Sequence, residues 1–168
     1  MAIFHDPEEW GRRVAALPLE RFAEGDVVFA EGTKTGRILI LKSGAVSITK
    51  GDIEFAQVSE PGAVLGELSA LLDAPHGADV IALEPSEFHA ADAEALLQDP
   101  VALAFVTVVL ARRIDAANQG LLQLKMMLEA GEPRGLIDSA LDKIEGLLGA
   151  IGSGYIRAGA GLAGHPFA

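Results

Sequence analysis

The sequence predicts an α+β fold in which an antiparallel β-sandwich or barrel occupies the first half and helices flank it, the last long one leading into the second half. Between about residues 22 and 88 the apolar residues come in short runs, each closed by Gly, Pro, Ser or Asp, which is the pattern of strands and turns. After Phe88 the period lengthens to that of helices. Hydrophobic residues make up 50% of the 168, with a mean hydropathy of +0.32, so the chain can bury a real core as about one domain.

Residues 7–17 read as a short helix, with Asp6 as N-cap and Pro7, Glu8 and Glu9 in a first turn that tolerates proline and favours acids. The strand signals follow as "DVVFAEG", "GRILILKSG", "AVSITKG", "IEFAQVSEPG" and "DVIALEP". Gly25, Gly32, Gly44, Gly51 and Gly62 fall at the expected turns. Residues 91–98 read as a second short helix. Asp99-Pro100 then opens a long one, with Asp as cap and Pro at the first position. Along it Leu110, Ile114, Ala117, Leu121, Leu124 and Leu128 step by four and three alternately, the spacing of a helix-pairing seam. Leu103, Phe105 and Val109 are expected to pack on the chain's own strands. Gly120 inside this helix costs about 1 kcal/mol relative to Ala, which points to the close approach of another backbone or a ligand.

The long helix ends at "EAGEPRG", where Gly131 caps and Pro133 cannot continue the turn. Residues 136–148 form a further amphipathic helix with Ile137, Ala140, Leu141, Ile144 and Leu148 on one face. The final "GAIGSGYIRAGAGLAGHPFA" has no period and reads as a mobile tail. The expected division is therefore residues 1–130 as one domain with its long helix, 131–148 as an added helix and 149–168 as a Gly/Ala-rich tail.

Composition removes several classes of function. A formal net charge of −11 sets a repelling field against nucleic acid, and no basic run exceeds the pairs Arg12-Arg13 and Arg112-Arg113. With no Cys there is neither a disulfide framework nor a thiolate. The acidic start "MAIFHDPEEW" does not resemble a signal peptide, and the longest apolar run, residues 101–111, is too short for a bilayer, so a cytoplasmic chain without membrane contact is expected. His5, His89 and His165 lack ligand-like spacing, so no metal site is expected. No nucleophile triad, P-loop or nicotinamide fingerprint is present, and the chain is not expected to be an enzyme.

The ordered set "FAEGDVVFAEG", "GRILILKSGAVSI", "EPGAVLGELSALLDAPHGADVIA" and "DPVALAFVTVVLARRIDAANQGLLQLK" resembles the cyclic nucleotide-binding domain family. The resemblance implies a jelly-roll-like antiparallel β-roll between an N-terminal helix and a long C-terminal helix that closes over a pocket and often dimerises. It implies that residues 66–80 are the phosphate-binding cassette. Gly66 matches the family glycine, Glu67 the glutamate that accepts from a ribose hydroxyl, and Leu68 and Ser69 the positions whose amides meet the phosphate. His76 stands where the family has arginine, followed by Gly77, and Asp79 replaces a hydroxyl residue. Guanidinium is always charged and donates in pairs, whereas imidazole, with a pKa of about 6.5, is mostly neutral at neutral pH. Asn118, Gln119 and Gln123 are candidate base contacts on the long helix, although a solvated helix flank explains them as well. Glu67 has the simpler alternative of capping the "LSALL" turn, and His76 that of an ordinary loop histidine.

The expected function is that of a stand-alone sensor domain for cyclic AMP, cyclic GMP or a related anionic molecule, with no other cofactor. A homodimer through the seam from Leu110 to Leu128 and an unnamed protein partner are expected with it. The alternative is a degenerate, ligand-free fold serving as a dimerising scaffold. A transcription factor is not expected, because one short helix and a tail follow the long helix where that branch carries a helix-turn-helix.

Overall fold

The computed structural model describes residues 7–150. Asp6, His5, His165 and the tail beyond residue 150 therefore lie outside the described residues, as does the side chain of Leu148. Helix α1, Pro7–Ala15, leads into strands β1 (Leu19–Phe22), β2 (Val27–Phe29), β3 (Arg37–Ser43), β4 (Val46–Lys50), β5 (Ile53–Val58) and β6 (Val64–Leu65). Helix α2 (Glu67–Leu71) separates these from β7 (Asp79–Ala82) and β8 (Ser86–Asp92). Helices α3 (Ala93–Gln98), α4 (Pro100–Glu129) and α5 (Arg134–Ala150) complete the described chain. Two antiparallel four-stranded sheets result, in the orders β1-β8-β3-β6 and β2-β7-β4-β5. The antiparallel β-roll flanked by helices is thus the observed architecture.

The run "RILILKS" is apolar without alternation because β3 is buried on both faces. Leu39 and Leu41 point between the sheets, where they join Phe29, Val58, Val80 and Phe88. Ile38 and Ile40 point outward and meet a second core made by the helices, with Trp10, Val14, Phe105 and Val109. Trp10 stacks on Phe105 with ring centroids 4.3 Å apart, tying α1 to α4. Arg13 reinforces that union by bonding both Glu9 and Asp99. Asp99 is the expected cap of α4, accepting from the amides of Val101 and Ala102. The five expected turn glycines all have positive φ.

The helix boundary after β8 differs from the sequence expectation. Ala91 and Asp92 belong to the strand, pairing with Ile38 and Arg37, and α3 begins at Ala93 with Asp92 as its cap. Ladder pairing across the sheet overrides the helical propensity of "AADAEALL" there. β1 and the two-residue β6 also escape a reading of pattern, since β1 alternates only between exposed and half-buried residues. On α4 the residues facing the sheet are Ala102, Phe105, Val106 and Val109, whereas Leu103 is 40% exposed.

The turn after α4 uses Gly131 at φ +70, and α5 folds back along α4 and against the edge strand β5. Gly120 and Ile144 lie at similar distances from this turn and meet: a Cβ at position 120 would sit 2.8 Å from the Ile144 side chain. The close approach expected at Gly120 is made by the chain's own α5. Helix α5 extends to Ala150, so Gly149 is helical, not the start of a tail. Ala140 is buried and Leu141 is exposed on its flank. Among the described residues, no helix is long and apolar enough to cross a membrane.

Candidate functional site

Between the second sheet and the start of α2 lies a cavity of about 420 Å³, a size suited to a small organic molecule. Its walls are mostly apolar, from Phe29, Ile48, Phe55, Val58, Leu65 and Val80. Its polar groups come from the end of β4, from α2, from the loop that follows, and from one turn of α4.

Gly66 sets the direction of α2. Its φ is +89, and a Cβ there would lie 2.6 Å from the Arg37 carbonyl oxygen and 3.1 Å from the Phe29 ring. With this turn made, Glu67 points inward and is only 3% exposed. Its carboxylate accepts from the Arg113 guanidinium of α4, which also donates to the Val64 carbonyl at 2.9 Å. Burial pushes the Glu67 carboxyl above its ordinary range, against the pull of the Arg113 charge. Leu68 and Ser69 sit in the first turn of α2, where amides have no carbonyl one turn back to bond. The Ser69 hydroxyl donates to the Ala74 carbonyl at 2.6 Å and fixes the loop between α2 and β7.

His76 is 6% exposed and built into the wall. Its ring stacks on Phe29 at 4.1 Å between centroids, and its Nε2 lies 2.9 Å from the Thr35 hydroxyl. Its backbone bonds Gly32 and Thr33, so the loop between β2 and β3 clasps this segment on both sides. Burial lowers its pKa, favouring the neutral ring. Gly77 is exposed at the cavity edge. Asp79 is not among the lining residues, because its carboxylate accepts from the Glu31 amide at 2.6 Å.

Six of the sequence-predicted positions, Gly66, Glu67, Leu68, Ser69, His76 and Gly77, are thereby brought to one cavity. Asn118, Gln119 and Gln123 are not brought there: all three are exposed on later turns of α4, and Gln119 donates to Asp115. Among the seam residues, Leu110, Ala117 and Leu124 are half-buried, while Ile114, Leu121 and Leu128 stay more than 60% exposed. Sequence reasoning missed Arg113 and Lys50 at the cavity. Arg113 had a usable signal: it continues the buried stripe of Ala102, Phe105, Val106 and Val109 by a further step of four, a position where an unpaired charge would not be tolerated. Lys50 gives none, being one exposed lysine at a strand end, 3.9 Å from Glu31. Among the described residues, no group of three or more His, Cys, Asp or Glu could hold a metal ion.

Comparison with known proteins finds relatives of this fold. The cAMP-dependent protein kinase regulatory subunit of Hypocrea atroviridis is 37% identical over 76 residues, which are 45% of this chain and 16% of that protein, so the chain matches only a small part of its relative's length. The catabolite activator protein of Thermus thermophilus superposes with a TM-score of 0.60 at 19% identity, covering 92% of this chain and 96% of that one. A structure of Sp-2Cl-cAMPS bound to PKAR CBD2 gives 0.57 at 20% identity over 78% and 82% of the two chains. The N-terminal domain of a transcriptional regulator from Streptomyces coelicolor A3(2) gives 0.53 at 26% identity over 70% and 87%. The two structures below 25% identity share the fold. The family model of the cyclic nucleotide-binding domain matches residues 19–98, the span from β1 to α3 that encloses most of the cavity. Over those residues the chain is similar to the cyclic nucleotide-binding domain family.

Proposed function

We propose that the chain is a regulatory sensor domain in which a small molecule of the nucleotide class enters the cavity and resets the α4–α5 hairpin. The observation that carries this reading is the buried pair between Glu67, at the cavity floor, and Arg113, on the long helix. A ligand hydroxyl that donates to Glu67 competes with Arg113 for the same carboxylate oxygens. Loosening that pair frees α4 from the Val64 carbonyl as well, so occupancy of the cavity is transmitted to a helix that α5 also grips. Differential contact of this kind is what a ligand needs in order to shift a conformational equilibrium. The hairpin would then present its exposed face to a second copy or another protein.

The Glu67–Arg113 pair also favours a second reading. It satisfies the carboxylate with no ligand present, as a ligand-free scaffold requires. Calorimetric titration with cyclic AMP and cyclic GMP separates the two. A one-site isotherm that is lost in Glu67→Gln, with the far-ultraviolet dichroism unchanged, supports the sensor. No heat for the wild type with either cyclic nucleotide or with adenosine at about 1 mM, the weak end of specific affinity, supports the scaffold.

A further inference from the structure

The charges around the cavity are nearly all committed to one another. Arg113 spends its terminal nitrogens on Glu67 and the Val64 carbonyl, and Lys50 at the rim lies nearest to Glu31. His76, in the cavity wall, has one ring face against Phe29 and Nε2 against Thr35. It cannot swing toward a ligand without giving up both contacts. Asp79 and Asp73 flank this segment in sequence, Asp73 being bonded by Lys34. The whole chain carries a formal charge of −11, which disfavours the approach of an anion before any contact forms. The amides of Leu68 and Ser69 require no charge from their acceptor and serve a hydroxyl or ether oxygen as well as a phosphate. Glu67 requires a donor, which a sugar hydroxyl supplies, and the walls beside Phe55 and Ile48 suit a flat apolar ring.

We infer that this cavity selects an uncharged nucleoside over its phosphate-bearing counterpart, because its wall at position 76 is an aromatic ring locked between Phe29 and Thr35 and not a free cation. The inference rests on the proposal above that the cavity is the ligand site. A buried anion without a charge-assisted partner loses at least about tenfold in affinity.

Calorimetry on the whole chain at about pH 7.5, where an ordinary histidine is neutral, tests it with three probes. Adenosine should bind at least about tenfold more tightly than cyclic AMP, the step expected for one missing charge-assisted contact. The methyl phosphotriester of cyclic AMP, which has the same fused ring and no charge, should bind more tightly than cyclic AMP itself. Equal affinities, a preference for cyclic AMP, or a triester as weak as the anion would overturn the charge argument and leave the cavity as a ligand site. Failure of all three probes to bind would overturn the ligand-site reading itself. In His76→Arg, checked for folding by dichroism, the order of adenosine and cyclic AMP should reverse; a folded variant that keeps the wild-type order removes position 76 as the selector. The wild-type comparison stands without that variant should it not fold.

Discussion

At the scale of single residues, Gly66 and His76 hold the cassette in opposite ways, one by lacking a side chain and one by wedging its own into the wall. Any Cβ at position 66 combines a left-handed backbone with a clash against the Arg37 carbonyl, so Gly66→Ala should cost at least about 1–2 kcal/mol and lower the denaturation midpoint. His76 makes stability depend on pH. Its folded pKa lies below the unfolded value of about 6.5, so the unfolded chain binds the extra proton and stability falls as pH drops below that value. The charged groups sharing its cavity are Lys50, Glu67 and Arg113, and the loops beside it carry the Lys34–Asp73 pair. The melting temperature of the wild type should therefore drop more between pH 8 and about pH 5.5 than that of His76→Gln. An equal drop in both would place the titrating group elsewhere. The place of Gly66, Glu67 and Ser69 at the cavity was legible through the resemblance of the "GELS" run, because a short local turn sets their positions. The partners of His76 were not, because Thr35 lies 41 positions away, and a histidine in a loop reads the same whether it faces a phosphate or a phenylalanine.

At the scale of elements, α5 decides how the long helix is used. The strands around β3 and β4 and the start of α4 could be read from runs, turns and an Asp-Pro cap, all of which act within a few residues. The end of β8 could not, since Ala91 and Asp92 are extended only because β3 pairs with them. Nor could the covering of α4 by α5, although Gly120 marked the place. Gly120→Ala gains about 1 kcal/mol of helix propensity but drives a methyl against Ile144. Hydrogen exchange should show α5 amides less protected in Gly120→Ala, with protection restored when Ile144→Ala is added. Protection unchanged in the single variant would mean that α5 is held by β5 alone. The same pair reshapes the expected seam, because α5 takes up the side of α4 nearest Gly120 and leaves Ile114, Leu121 and Leu128 to solvent.

At the scale of the molecule, two cores share β3, one between the sheets and one beneath the helices. The exposed row of Ile114, Leu121 and Leu128 is expected to pair with its copy in a symmetric homodimer. Sedimentation should find a dimer for the wild type and a folded monomer for Leu121→Asp, a substitution at a 66% exposed site that leaves the core untouched. A wild-type monomer at tens of micromolar would contradict the dimer. The central claim is that a small nucleoside-type molecule enters the cavity and acts on α4 through Glu67 and Arg113. Amide resonances of the labelled chain, followed while adenosine and cyclic AMP are added in separate titrations, test it most directly. The account predicts shifts at Gly66, Glu67, Leu68, Ser69 and Gly77 that continue onto α4 around Arg113. Shifts absent from these residues with both compounds, or gathered around Leu122 and Met126 on the far turns of α4, would contradict it.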